Sequence, residues 1–202
     1  MATDVTPNRR GTRSREAVLD AAEQLMAEHG YEAATVATLV KASGIPLSSI
    51  YHYFGSKNGV LSAVMERGAA RFFSSLRLPE ERIGTPEEHL AACVEIAGDA
   101  LGKHPDFLRL LISLALQPPG GDEHDVRTVV GRVRETARTG LAIQAAVAFG
   151  IRPDSEKAEE LSRVALAYFD GAFVGTQLDE DADLKRLLAH LPASLVAVHD
   201  AR

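Results

Sequence analysis

Apolar residues recur along this 202-residue chain at intervals of three and four, and nowhere alternate with polar ones over a useful length. That spacing builds amphipathic helices and leaves nothing from which to build a sheet, so the expected fold is all-α. Few aromatics (5%), no Trp and abundant Ala, Leu and Val point the same way. Residues 12–29 place Val18, Ala22, Leu25 and Met26 on one face, and Gly30 supplies a C-terminal cap. Thr35 can cap a short second helix in which Val36, Leu39 and Val40 point inward. Ser43-Gly44-Ile45 breaks that helix, and Pro46 suits the first turn of a third, ending near Phe54. Gly55 interrupts, and a longer helix follows over 56–76. Thr85-Pro86-Glu87-Glu88 opens a helix that runs to Lys103, Pro105 opens another over 106–117, and Pro118-Pro119-Gly120-Gly121 reads as a loop. Three helices complete the pattern, at 125–148, 155–178 and 183–198, the last kinked or restarted at Pro192. No internal repeat is visible.

A single Cys excludes a disulfide framework and any multi-Cys metal cage, and none of the seven His residues belongs to a compact ligand set. No metal or other cofactor is therefore expected. No run approaches the roughly 18 apolar residues of a membrane helix, and residues 1–8 lack the basic start and apolar run of a signal peptide. The expected location is the cytosol, where a lone thiol stays reduced, with no membrane partner. A net charge of -6 argues against a nucleic-acid partner when taken whole, but it is unevenly spread. Residues 1–75 hold eight Lys/Arg against seven acids, and the remainder holds 14 against 21. Four Arg and no acid lie between Arg9 and Arg15, which suits either a nucleic-acid contact or a solvated terminus.

The stretch from Thr35 to Lys57 carries the most information. Two short helices separated by Ser43-Gly44-Ile45 form the pattern of a helix-turn-helix. On a wheel the third helix turns Ile50 and Phe54 inward. Ser48, Ser49, His52 and Tyr53 fall mainly opposite, with Leu47 and Tyr51 flanking. Small hydroxyls, an imidazole and phenols on one side can enter a major groove, donate to phosphates and touch base edges. Ser56-Lys57 opens a helix whose N–H groups and ammonium can hold a further phosphate, and Thr35 can do the same at the start of the second helix. Tyr53 fits packing as well as contact. The Tyr51 ring can pack on the first helix while its hydroxyl reaches out.

The run Thr35-Val36-Ala37-Thr38-Leu39-Val40-Lys41-Ala42-Ser43-Gly44-Ile45, followed by Ser49-Ile50-Tyr51-His52-Tyr53-Phe54-Gly55-Ser56-Lys57, resembles the DNA-binding domain of TetR-type transcriptional repressors. The resemblance extends over about residues 10–64 and includes the Gly30-Tyr31 ending of the first helix. It implies an N-terminal helix-turn-helix domain at 10–57 and a helical ligand-binding and dimerisation domain at 58–202. It implies a homodimer that binds palindromic double-stranded operator DNA and leaves it when a small-molecule effector binds. Carried over by position, Thr35, Tyr51, His52 and Lys57 would meet phosphates, and Leu47, Ser48 and Ser49 would face bases, with Tyr53 beside them. Pro46 cannot donate, which leaves base reading to few side chains.

The C-terminal part matches no motif so closely. The resemblance implies dimerisation through the helices near 155–178 and 183–198, forming a four-helix bundle with their copies. Leu161, Val164, Ala165, Tyr168, Phe169, Ala172 and Phe173 make an apolar stripe wider than one helix needs for its own core, which favours that dimer over burial within the monomer. Cys93, Ile96, Phe107, Leu111 and Tyr168 are candidate lining residues for an effector pocket, or ordinary core; an apolar lining would select a hydrophobic effector. Gly120-Gly121-Asp122-Glu123-His124 reads as a loop and helix cap. Asp179-Glu180-Asp181-Ala182-Asp183 reads as a solvated turn, because it lacks the Gly and distal Glu of a calcium loop. Cys93 has no evident His partner in the local sequence and reads as a small buried hydrophobe. An enzyme built on Cys93 or a His lacks a catalytic constellation. A protein-binding adaptor that has lost DNA binding conflicts with the retained Tyr51, Lys57 and the basic arm.

Overall fold

The computed structural model describes residues 9–30, 33–116 and 124–201, and every regular element among them is a helix. In chain order these are α1 (Arg9–His29), α2 (Val36–Ser43), α3 (Leu47–Phe54), α4 (Lys57–Ser75), α5 (Pro86–Lys103), α6 (Pro105–Ala115), α7 (His124–Phe149), α8 (Glu156–Leu178), α9 (Leu184–Leu188) and α10 (Leu191–Asp200). The expected loop at 118–121, the acidic motif that follows it at 122–123, and Tyr31 lie outside the described residues, as do the side chains of Arg9 and Arg10.

The chain divides into two compact units. One holds residues 9–68 with 109–116 and 124–130; the other holds 69–108 with 131–201. The sequence placed the junction at 57/58. The first eleven residues beyond that point stay with the N-terminal unit because Val60, Leu61, Val64 and Met65 of α4 are buried in its core.

In the first unit, α1, α2 and α3 pack on one another. Val18, Leu19, Ala22 and Met26 of α1, Leu39 of α2 and Ile50 of α3 are all buried, each such large side chain contributing roughly 1.5–3 kcal/mol relative to exposure. Leu25, expected inward, is only half-buried, and Leu19 takes its place. Leu111, Leu114, Val126, Val129 and Val130 bring further buried aliphatic surface to this unit.

In the second unit, α10 packs on α5 and α8, and α9 packs on the same two helices. The single helix expected over 183–198 is two, separated at Ala189–His190. Pro192 is the reason: it has no N–H to give and its ring would clash with the carbonyl of Leu188, so it begins α10 instead of continuing α9. The wide apolar stripe of α8 also finds its cover inside the chain. Leu161, Ala165, Phe169, Ala172 and Phe173 are buried, and Val164 and Tyr168 half-buried. The width of the stripe is therefore accounted for by α9 and α10 packing on α8 and does not by itself call for a second copy.

Candidate nucleic-acid interface

Capping within single turns sets the local geometry of α2 and α3. Thr35 stands just before α2, with Oγ1 accepting the Thr38 N–H at 3.2 Å. The Thr38 hydroxyl donates to the Ala33 carbonyl at 2.7 Å, tying the helix start to the preceding chain. At the other end Gly44 adopts φ 68°, a conformation that a side chain would strain, and its N–H donates to the Val40 carbonyl at 3.0 Å. Ser43 closes the break: its hydroxyl donates to Leu39 O at 2.6 Å and accepts the Ile45 N–H at 3.2 Å. Pro46 is the residue before α3 and not its first turn, its ψ of 146° being extended.

The exposed face of α3 consists of Leu47, Ser48, Tyr51 and His52, with Leu47 half exposed and Tyr51 nearly so. Ser49 and Tyr53 are half-buried at its flanks. This exchanges two pairs relative to the sequence reading: Leu47 and Tyr51 face outward, and Tyr53 does not lie opposite Ile50. Tyr53 follows Ile50 by three positions and so shares its side of the helix. Its ring meets Phe54 edge-on at 6.3 Å and His52 at 5.5 Å. Phe54 is half-buried, with the Arg15 guanidinium 5.3 Å above its ring, so this member of the basic arm is engaged with α3 while Arg13 is exposed. Thr35 is exposed and Lys57 half-buried at the start of α4.

Three features of this unit escaped the sequence reading. The first is Gly59, where an added Cβ would lie 1.8 Å from the Phe54 carbonyl oxygen: α4 crosses the end of α3 backbone to backbone. The second is the cap bond itself: Ser56, expected to open this helix, accepts the Gly59 N–H at its Oγ at 3.0 Å. The third is Arg67, whose side chain is only 12% exposed. Its Nε donates to Glu23 at 2.8 Å, and its Nη1 donates to Glu16 at 2.8 Å and Asp20 at 2.9 Å. Burial lowers the Arg67 pKa, but the bonds to Glu23, Glu16 and Asp20 more than reverse this, so the guanidinium stays protonated. Three acids at i, i+4 and i+7 on α1 were the available signal, since that spacing aligns them on one stripe.

The five candidate effector residues do not gather in one unit. Leu111 belongs to the first, and Cys93, Ile96, Phe107 and Tyr168 belong to the second. Phe107 is half-buried in an aromatic group with Phe72, 5.9 Å away, and the Tyr168 hydroxyl donates to Leu187 O at 3.1 Å. A cleft of about 280 Å³ in the second unit is lined by Arg138, Thr139, Ala142, Ile143, Pro153, Asp154 and Glu159, and none of the five reaches it.

Cys93 does have a His partner. His89 stands one turn earlier on α5, fully buried, with Nε2 3.6 Å from Sγ. The Ile83 N–H donates to His89 Nδ1 at 3.3 Å, so Nε2 carries the proton and donates to Gln144 Oε1 at 3.0 Å. The thiol donates to the same oxygen at 3.3 Å, and Gln144 Nε2 donates to Pro79 O at 3.3 Å. Burial pushes the thiol up to about 11. The protonated thiol is thus one member of a buried hydrogen-bond network and not an activated nucleophile.

Comparison with known proteins agrees with this geometry. Residues 18–64 match the family model described as bacterial regulatory proteins, tetR family. The transcriptional repressor AcnR of Corynebacterium glutamicum is 43% identical over 60 residues, covering 30% of this chain and 32% of that protein. The chain spans about a third of the length of the first curated relatives it matches. A transcriptional regulator structure from Rhodococcus sp. RHA1 superposes with a TM-score of 0.71 at 22% identity, over 91% of this chain and 96% of that one. A regulator from Saccharomonospora viridis, solved in complex with choline, gives 0.68 at 18% identity over 92% and 96%. The two structures share the fold, and all three proteins are named as transcriptional regulators. No described helix is long and apolar enough to cross a membrane.

Proposed function

We propose that this chain, whose residues 18–64 match the tetR family of bacterial regulatory proteins, is a homodimeric repressor that leaves a palindromic operator when a small, apolar effector binds. The observation that carries the reading is the exposed face of α3, held by capped turns within a segment that matches the family. In this reading Leu47, Ser48 and Ser49 face bases. Thr35, Tyr51, His52 and Lys57 hold phosphates, with Tyr53 at the margin supporting His52. Two such heads lie one helical turn of DNA apart, about 34–36 Å, or a multiple of it.

A second copy docks on α8 and the α9–α10 pair. Exposed Ala167 and Gly171 allow close approach there, and Leu178 and Leu187 expose apolar surface for a partner to cover. The effector binds in the second unit, and the choline held by a protein of the same fold supports a small-molecule effector in general. Linkage then requires operator to weaken effector binding by the factor with which effector weakens operator binding. The cytosol, where DNA is found, is the matching location.

Selection from a randomised duplex library, followed by gel-shift titration at several salt concentrations, tests the reading. The full chain should select a palindrome. Lys57→Ala should weaken binding to all duplexes and reduce the salt slope by about one, while Ser48→Ala should alter base preference at a half-site. Failure to enrich any sequence, or affinity independent of salt, refutes DNA binding. A thermal-shift screen in which only polar or cationic compounds stabilise the protein refutes the apolar effector.

A further inference from the structure

We infer that Arg67 is a positioning residue for operator recognition, one that locks α4 to α1 and thereby sets how the α3 face is presented. The inference rests on the DNA-binding reading above. Arg67 is the last but one residue of α4 assigned to the first unit, and the helix continues into the second as far as Ser75. At that point its guanidinium bonds three carboxylates of α1, spaced over two turns and about 10 Å of helix axis. A planar fork can serve three acceptors at once from one buried position; an ammonium is a point charge and cannot hold the same geometry. Nη2 is buried and has no acceptor among the described residues, so the group is held by Nε and Nη1 alone. α1 in turn packs on α2 and α3, and Arg15 of α1 lies over Phe54 at the end of α3. Displacement of α4 therefore reaches the reading helix through two defined joints: the Arg67 clamp on α1 and the Gly59 crossing over Phe54.

Without the guanidinium, Glu16, Asp20 and Glu23 would repel one another on a single face of α1, and α4 would keep its buried apolar contacts but lose the polar joint that fixes its register on α1. Mispositioning should fall on specific binding, where two heads must meet two half-sites in register. Binding to arbitrary duplex needs only phosphate contacts that the substitution leaves in place.

The test uses the full chain with Arg67→Met, Arg67→Lys, and the triple Glu16→Gln, Asp20→Asn, Glu23→Gln, each at a temperature where circular dichroism shows it folded. Affinity is measured for the selected operator and for random-sequence duplex of equal length. Arg67→Met should bind operator about ten-fold more weakly with random duplex within about two-fold, and Arg67→Lys should recover part of the loss. The triple variant separates position from charge. Removing three negative charges should tighten random-duplex binding, whereas the lost clamp should still weaken operator binding. Operator affinity within two-fold of wild type in both Arg67→Met and the triple variant overturns the inference, as does an equal loss on both duplexes. If Arg67→Met does not fold, the Lys and triple variants decide by the same criteria. A wild type that selects no operator overturns the DNA-binding reading and this inference with it; a wild type that binds beside unaffected variants overturns the inference alone.

Discussion

Gly59 is a position where two elementary expectations have opposite signs. It is the third residue of α4, with an ordinary backbone conformation, so on helix propensity alone Gly59→Ala should stabilise the chain by about 1 kcal/mol. The new Cβ would stand 1.8 Å from Phe54 O, 2.9 Å from Phe54 C and 3.5 Å from Phe54 Cα. Ordinary contact is roughly 1.5 Å farther from that oxygen, and the obstacle is backbone, which cannot rotate aside. The oxygen is also engaged, accepting the Ser56 N–H at 2.8 Å, so moving it breaks the turn between α3 and α4. A clash of this kind costs about 3 kcal/mol, at the upper end for an inserted carbon, which leaves a net loss of about 2 kcal/mol. For a chain of this length that is a fall of about 4–8 °C in the unfolding midpoint. Differential scanning calorimetry of wild type and Gly59→Ala measures it. Gel shift at a temperature where both are folded should also show weaker operator binding, because the substitution pushes α3 away from α4. A midpoint that rises, or operator affinity equal to wild type, would show that the backbone crossing does not set the position of α3.

Further predictions concern the second unit. As the chain's single thiol, Cys93 should react with a disulfide reagent at pH 8 only at the rate of unfolding, since burial holds it protonated; labelling in seconds under native conditions would contradict its burial. Its raised pKa also means that the stability from keeping the thiol protonated is intact below pH 9.0 and lost as pH rises through about 11, a loss that Cys93→Ala should not share. Thr85→Ala removes one half of a capping box, the bond in which Thr85 Oγ1 accepts the Glu88 N–H at 3.3 Å, leaves the other, in which Glu88 Oε2 accepts the backbone N–H of residue 85 at 2.7 Å, and should cost about 1 kcal/mol in denaturant titration. The Thr85 bonds hold the Glu88 carboxyl below its ordinary range, so its share of the cap is present above that range and lost as pH falls through the lowered value; Glu88→Gln and wild type should converge in stability at acid pH.

What was legible in the sequence is what acts within one turn. Thr35, Gly44, Gly55 and Thr85 announce helix ends because capping is settled by residues three or four apart, and the helix-turn-helix followed from them. Errors arose where direction mattered. The wheel turns Ile50 of α3 inward correctly, but Tyr53, three positions on, stands within about 60° of it and flanks the core side, where the expectation had it opposite. The α8 stripe was visible, while its cover was not, because α9 and α10 return to it from later in the chain. Pro192 was read as a kink or a new start, and the Leu188 carbonyl decides for a new start. His89 was readable in principle, standing four residues before Cys93 on a helix that the sequence had already defined. Gln144, which joins both side chains, was not.

The same distinction alters the meaning of the charge count. Residues 1–75 come close to neutrality, which taken alone is a weak basis for meeting phosphates. Yet Glu16, Asp20 and Glu23 are bonded to the Arg67 guanidinium, and all four groups serve the α1–α4 joint. Set that cluster aside and the stretch holds seven Lys/Arg against four acids. The cluster itself keeps a formal charge of -2, one guanidinium among three carboxylates, but salt screens its field over about 8 Å, so a phosphate held farther away than that meets the charges beside it. Basic residues for DNA and acidic residues for packing can thus share one short domain, provided that the acids stand more than a screening length from the phosphate contacts. Arg67 is thus electrostatic as well as mechanical: Arg67→Met would take the formal charge of the cluster from -2 to -3, with Glu16 keeping its contact with Arg15.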